Sequence, residues 1–328
     1  MALDSREHLE HITDDAKWDE LVFHSVESSP FLMSSFLRSI GQENSRLVLC
    51  VGGEAVVGTC LITPFSSEAE NSHAFCVYQG AFFPNLSLRN YSDENERLRR
   101  LQKLIRCLDV EGNPRHLSFH PHINDLRAID WFYYEAEKTS LKPIIRSRYT
   151  GFIQIQEFST FEKYLTTIRR ERLREFKRSL ESEYQVQLDS LDIENFLKLY
   201  SLTFERQGHS VPKTVIKRVS SIISAGLQYD SGKLKMLYSE KGEAVSGAYI
   251  LSDTSTDVYL FGANNTHFRD SYGSTRLLLE SVRESFQQSK KIFDFCGMNS
   301  PSRGEFKSSF NARVMPYFEL DLDVREDV

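Results

Sequence analysis

The chain alternates between short apolar runs with a period of two and longer amphipathic stretches with a helical period. Leu47 to Val51 and Thr59 to Pro64 flank a glycine-containing turn, and so do Leu234 to Tyr238 and Ala248 to Leu251, which reads as two β-hairpins. The turn-and-strand phrase of the first, Gly53-Glu54-Ala55-Val56-Val57-Gly58, returns as Gly242-Glu243-Ala244-Val245-Ser246-Gly247. Downstream, Val77-Tyr78-Gln79-Gly80-Ala81 is echoed by Leu260-Phe261-Gly262-Ala263. Each echo leads through a loop and a helix-like stretch to a short strand, Leu117-Ser118-Phe119 or Phe293-Asp294-Phe295. A phrase repeated together with its element order predicts a duplicated unit.

The remaining pattern fits that frame. Asp14 or Asp15 caps a first helix to about Ser25, and Pro30 opens a helix over Phe31 to Ile40. Phe75 to Phe83 reads as a strand, Glu94 to Val110 as an amphipathic helix, His116 to His120 as a strand and Ala128 to Lys138 as a helix. Strand Pro143 to Arg148 runs into the alternating Tyr149 to Ile155, which sets the domain junction at 150, with domains 1–150 and 151–328. A single basic helix over Phe161 to Glu183 opens the second half, followed by helices Asp192 to Glu205 and Pro212 to Ala225. Strands Leu234 to Ser239, Ala244 to Leu251 and Val258 to Ala263, helix Ser274 to Gln288, strand Ile292 to Phe295, a short helix and strand Val314 to Leu322 complete it. The pattern predicts an α/β fold with mixed, largely antiparallel sheets.

Composition narrows the function classes. The 328 residues are 40% hydrophobic and 12% aromatic, enough for two packed cores. No run is apolar enough to span a membrane and the first residues lack a signal core, so the expected compartment is the cytoplasm. Five cysteines without Cys-x-x-Cys spacing read as reduced, buried thiols. A net charge of −6 argues against a general nucleic-acid binder, DNA included, while leaving room for one local basic surface at Arg169, Arg170, Arg172, Arg174, Lys177 and Arg178. Glu171, Glu175 and Glu181 interleave with those cations, so a solvated face and a phosphate-docking face are both open readings.

Several residues have the types and spacing for chemistry. The loop Asn264 to Ser274 joins a strand to a helix N-terminus, whose free amides and dipole suit a phosphate. There Gly273 admits a close backbone approach, Ser274 starts the helix and Arg269 supplies charge. Asp294 alternates with Phe293 and Phe295 at a strand's carboxyl end, where α/β folds often bind ligands. Lys307 lies between Phe306 and Phe310, which would anchor its helix; a buried Asp294–Lys307 pair is the plain structural alternative. His120-Pro121-His122 resembles a metal pair but lacks a third ligand at suitable spacing, so no metal is expected there.

Taken in order, Ser29-Pro30-Phe31, Tyr78-Gln79-Gly80, Arg148-Tyr149-Thr150-Gly151-Phe152-Ile153-Gln154-Ile155, the basic helix, Thr203-Phe204-Glu205-Arg206-Gln207-Gly208, Asp294-Phe295-x-Gly297 and Phe306-Lys307-x-x-Phe310 resemble the FemAB and BioF2-like branch of the GNAT acyltransferases. The resemblance implies tandem GNAT-like domains, the second binding the donor and the interdomain cleft an amine acceptor that is small and sugar-, nucleotide- or lipid-linked. It implies acyl transfer to that amine, with acyl-CoA as co-substrate and no permanently bound cofactor. Lys307 then matches a lysine near the donor's phosphate or carboxyl region, Asp294 and Gly297 the strand end beside it, and Arg206, Gln207 and Gly208 a cleft segment. Tyr78, Gln79 and His120 fall on the acceptor side. In the acyl-CoA loop, Arg269 is followed three positions later by Tyr272 where ordinary GNAT enzymes have glycine, so aminoacyl-tRNA is the alternative donor. Aminolysis needs a polarised carbonyl and a proton acceptor. A strand amide near Phe261 or Gly262 would serve the first, and Glu205, His209 or Asp294 the second. A duplicated binding module without activity is the reading from another class.

Overall fold

The computed structural model of the chain describes residues 7–40, 44–62, 75–87, 90–110, 116–135, 144–205, 208 and 210–321. Its packing divides the chain into two units: Met1–Leu37, Gly41–Arg148 and Pro316–Val328 in one, Arg38–Ile40 and Tyr149–Met315 in the other. The elements of the first half are β1 (Glu7–His11), α1 (Asp15–Phe23), α2 (Ser34–Ser39), β2 (Asn44–Val51), β3 (Glu54–Ile62), β4 (Gly80–Phe82), α3 (Tyr91–Val110), β5 (His116–Ser118), α4 (Arg127–Glu135) and β6 (Ile144–Gln154). After α5 (Phe161–Leu165) and α6 (Arg170–Leu180), the same order recurs: β7 (Gln185–Gln187), α7 (Ile193–Glu205), α8 (Lys213–Gln228), β8 (Gly232–Tyr238), β9 (Ala244–Ser252), β10 (Thr256–Asn264), α9 (Gly273–Gln287), β11 (Ile292–Asp294), α10 (Pro301–Ser308) and β12 (Arg313–Asp321). Strand, two helices, three-strand meander, helix, strand, helix, strand occurs twice.

The pairing repeats as well as the order. In the first unit β1, β2, β3 and β4 are successive antiparallel neighbours. In the second, β7, β8, β9 and β10 are the same, and β11 lies parallel to β10. The repeated phrase occupies equivalent places. Gly58 pairs with Val48 and Gly247 with Met236, and each hairpin carries a register shift next to its turn that skips Val56 in one copy and Val245 in the other. Both glycines are held by close approach: a Cβ would lie 2.2 Å from the Phe82 ring at Gly58, and 2.5 Å from Phe196 and 2.9 Å from Met236 Sδ at Gly247.

Each unit takes its last strand from the other half of the sequence. Phe152, Ile153 and Gln154 of β6 pair with β11, Phe152 opposite Asp294, whereas the end of β12 pairs with β5, Leu320 opposite Leu117. That is why Pro316 onward groups with the first unit and not with the second half of the sequence. In the first unit Leu98, Leu101, Leu104, Ile105 and Leu108 of α3 pack on Leu47, Leu49, Val57 and Leu61 of the hairpin. In the second, Leu278, Leu279 and Val282 of α9 pack with Ile153, Phe293, Phe295 and Phe310. Helical and strand periods thus meet on one apolar face in each unit.

Local chemistry overrides the sequence pattern at several points. The basic helix over Phe161 to Glu183 is two helices. The Thr166 and Thr167 hydroxyls bond back to the carbonyls of Lys163 and Tyr164, and the Arg169 amide donates to Ser309 O, so the helical ladder breaks between α5 and α6. The helix over Phe31 to Ile40 is a 3-10 turn at Pro30–Leu32 followed by α2, because Met33 is extended. Only Gly80–Phe82 of the strand over Phe75 to Phe83 forms. Strands β1 and β7 are polar and short, and carried no apolar signal. All five cysteines are free and buried. Among the described residues no helix is long and apolar enough to cross a membrane.

Gly58→Ala and Gly247→Ala should each cost about 1–3 kcal/mol in urea unfolding, since the new methyl must displace a ring in a filled core. A loss below about 0.5 kcal/mol at either position would count against the close approach.

Candidate active site at the parting of two strands

The second unit's sheet opens at one place. The parallel pairing of β10 with β11 runs only from Thr256/Ile292 to Val258/Asp294, although β10 continues to Asn264. At the same level β10 shifts register against β9 between Tyr259 and Phe261, which leaves Leu260 as a bulge. Among the described residues, the side of β10 facing away from β9 has no strand partner beyond this point. The Asn264 amide leaves on that side and donates to Thr203 Oγ1 at 3.1 Å. Backbone groups two residues apart leave a strand on the same side, so the Gly262 amide faces the opening. Tyr259 lies over Gly262, its hydroxyl where a Cβ would stand.

The first unit closes the corresponding place. The residue after each repeated glycine pairs with a glycine of the next strand: Thr59 with Gly80, Ala248 with Gly262. Gly80 is therefore the counterpart of Gly262, yet it is bridged in parallel to Phe119, and its carbonyl accepts the His120 amide at 2.9 Å. The three residues expected on the acceptor side are buried around this junction. Tyr78 is walled by the rings of Phe31, His120 and Tyr317. Gln79 Oε1 accepts the Ser118 amide, while its Nε2 is buried with no partner among the described residues. His120 Nδ1 accepts the His122 amide at 3.2 Å, and burial holds its pKa well below the usual imidazole value. These are positions of core polar groups.

At the opening in the second unit, Asp294 and Lys307 take separate partners. Asp294 is buried at the end of β11, where its Oδ1 accepts from the Thr150 hydroxyl and from the Cys296 amide, so the carboxylate fixes the turn out of the strand. Lys307 reaches back from α10 to donate to Cys296 O at 2.8 Å and Gly297 O at 2.9 Å, with the Tyr259 ring 5.5 Å from its nitrogen. Burial lowers its pKa to about 8; Cys296 and Asp294 oppose the shift, and Arg303 adds to it. Sequence reasoning missed Arg303, Tyr259 and Tyr200. Arg303 is exposed, and its charge acts on Lys307, Tyr259 and Tyr200 together, so it stands at the same opening. Its place one helical turn before Lys307 was the available signal.

Asn264 joins the far end of β10 to three other elements. Its Oδ1 accepts the Ser246 and Ser274 hydroxyls, both at 2.7 Å, and its amide takes Thr203 near the end of α7. Glu205 follows two residues later and is exposed. Arg206, Gln207 and His209 lie outside the described residues. At the start of α9, Tyr272 is left-handed with φ 51° and supplies no side-chain cap. The Gly273 amide is already taken by Ser271 Oγ, and a Cβ there would lie 2.6 Å from Ser246 Cβ, so this glycine serves helix-to-sheet packing. Arg269 sits in the 3-10 turn Thr266–Ser271. The Tyr272 hydroxyl bonds Arg178 of α6 at 3.3 Å, which brings the basic helix to this helix start. Along α6, Glu171 and Glu175 are both paired with Arg172, whereas Arg170, Arg174 and Lys177 are exposed and make no ion pair or hydrogen bond among the described residues.

Comparison with known proteins places this geometry. Residues 163–308 match the model of the acetyltransferase (GNAT) domain family. Among solved structures, FemX shares 13% identity over 95% of this chain and 96% of its own, with a TM-score of 0.67. The L-PGS of Bacillus licheniformis shares 10% over 96% and 93%, at 0.54. A tandem GNAT protein from the clavulanic acid biosynthesis pathway, solved without AcCoA, shares 8% over 98% and 100%, at 0.52. No curated protein matches. Residues 163–308 thus match the GNAT domain family, in a chain whose fold over nearly its whole length is similar to that of FemX.

Proposed function

We infer that the chain is an N-acyltransferase whose second unit holds an activated acyl donor at the parting of β10 and β11. The observation that carries this reading is the unpartnered edge of β10 at Gly262, against its closed counterpart at Gly80. In the reaction the acceptor's amine nitrogen attacks the donor carbonyl, the carbon–oxygen π electrons move onto oxygen, and the Gly262 amide is placed to receive that oxyanion. Collapse re-forms the carbonyl and expels the thiolate or ribose oxygen, while the amine's proton passes to a base and on to the leaving group. Glu205 is the assigned base, because Asp294 is buried and spent on Thr150 and the Cys296 amide. Lys307 and Arg303 supply positive charge at the mouth, suited to the donor's phosphate or carboxylate. Acyl-CoA is the donor in this reading, in keeping with the tandem GNAT neighbour, whose structure was solved without AcCoA. The acceptor is a small amine on a sugar-, nucleotide- or lipid-linked carrier.

A second reading has its own observation. With Glu171 and Glu175 committed to Arg172, the stripe Arg170, Arg174 and Lys177 keeps its charge for an outside polyanion, which favours aminoacyl-tRNA. A structural neighbour described as the C-terminal domain of a putative lysylphosphatidylglycerol synthetase from Agrobacterium fabrum, at 8% identity and a TM-score of 0.52, points the same way.

Lys307→Met should lower kcat/KM by about 10²-fold while leaving the thermal midpoint near the parent's, as expected for a charge used on the donor. A large melting shift with donor affinity retained would make it a structural residue. The Lys307 side-chain NMR resonance should titrate near pH 8 instead of 10.5. A base whose folded pKa is depressed costs stability in full below the folded value and regains it as pH rises towards the unfolded one. Parent stability should therefore climb between about pH 8 and 10.5 relative to Lys307→Met, which lacks that slope.

The donors separate by salt. Binding of acyl-CoA should weaken only shallowly with salt and be indifferent to Arg170→Glu with Arg174→Glu, whereas tRNA binding releases many counterions and should fall steeply with both. Tight, salt-sensitive tRNA binding without measurable acyl-CoA affinity would transfer the assignment to the aminoacyl donor. Binding of either without turnover of any amine would favour the inactive module.

A further inference from the structure

In the first unit, strand β1 and its neighbour β2 together carry three potential metal ligands, two on β1 and one on β2. Among the described residues β1 pairs with β2 alone, in a register that sets His8 directly opposite Cys50. Side chains two apart share a face of a strand, so Glu10 stands beside His8 on that face. The ligand atoms of His8, Glu10 and Cys50 all lie within 4.8 Å of one another. Cys50 is buried, Glu10 half-buried and His8 exposed, which leaves solvent a path from the imidazole side. The carboxylate is already oriented: Lys17 of α1 holds its Oε1 at 2.7 Å, while Oε2 faces the Cys50 sulfur at 3.4 Å.

We propose that His8, Glu10 and Cys50 form a binding site for a zinc-class divalent cation, with water in the fourth position. One sulfur, one imidazole nitrogen and one carboxylate oxygen are the donor types such a cation takes, at about 2.0–2.3 Å. Tetrahedral bonds of that length put ligand atoms roughly 3.5 Å apart, so the cluster closes by about 1 Å, within reach of a rotamer change at the exposed His8. Binding replaces the Cys50 proton with the metal: the thiol releases H⁺ and its sulfur lone pair forms the metal bond. Lys17 takes the place of an outer-shell partner that fixes a ligating carboxylate. The cation would staple an edge strand to its single neighbour, and through Lys17 to α1. A thiol–carboxylate–ammonium chain without metal is the competing explanation.

The test is a Co²⁺ titration of the metal-stripped full chain, followed by Zn²⁺ competition. One equivalent should bind, giving a thiolate-to-cobalt charge-transfer band with tetrahedral visible bands, and Zn²⁺ should displace it. Cys50→Ser should abolish the charge-transfer band. His8→Ala and Glu10→Gln should each weaken Zn²⁺ affinity at least tenfold, and His11→Ala, on the opposite face, should leave it unchanged. Because His8 is exposed, its variant keeps the test decisive even if Cys50→Ser fails to fold. No charge-transfer band in excess cobalt, a band that survives Cys50→Ser, or a Zn²⁺ affinity unchanged by His8→Ala would each overturn the site.

Discussion

The structure of the second unit turns on the loss of pairing between β10 and β11 after Val258 and Asp294. Two parallel strands that part leave backbone amides without sheet partners, a costly state in a protein interior unless something else meets them. Each side of the opening is accordingly braced. Asp294 meets the Thr150 hydroxyl and the Cys296 amide where β11 turns away, and Asn264 gathers Thr203, Ser246 and Ser274 where β10 ends. Between these braces the amide of Gly262 faces the opening. An opening held by fixed hydrogen bonds offers a donor that need not reorganise during reaction.

Among the described residues, the duplicated first unit shows no such opening. The first unit has the same element order and the same hairpin irregularity, but Gly80 is bridged to Phe119 where Gly262 stands free. Around that junction the interior holds buried polar groups, several of them paired: Glu27 is ion-paired with Arg97, whose guanidinium also lies over Phe83 and bonds His122 O. Burial raises the Glu27 pKa even against the pull of Arg97, and lowers those of His120 and His122. Such groups specify a core and leave little to offer a substrate.

Electrostatics gives the open site its character. Burial makes the Lys307 ammonium unusually acidic for a lysine, and its two carbonyl partners use two of its three donors. Arg303 adds charge at the mouth without being buried. Farther along, Arg172 absorbs both neighbouring glutamates of α6, so the acidic residues that seemed to neutralise the basic helix protect one arginine and leave a stripe of three cations exposed.

The sequence by itself determined the duplication, the hairpins, most helices and the candidate pair Asp294 and Lys307, because periodicity and repeated turn chemistry are local properties. The bulge at Val56 and Val245 was present in the repeated phrase, although only the paired register reveals it. Tertiary structure decided the rest. The break between α5 and α6 depends on hydroxyls finding particular carbonyls and on Ser309 O, a partner far along the chain. Strands β1 and β7 lack an apolar signal and exist because β2 and β8 offer edges. The exchange of final strands between units and the burial of Tyr78, Gln79 and His120 are non-local as well. So is the nearness of Arg303, Tyr200 and Tyr259 to Lys307. Similar local phrases leave Gly80 bridged to Phe119 and its counterpart Gly262 open on that side, since strand pairing is settled by residues far away in sequence.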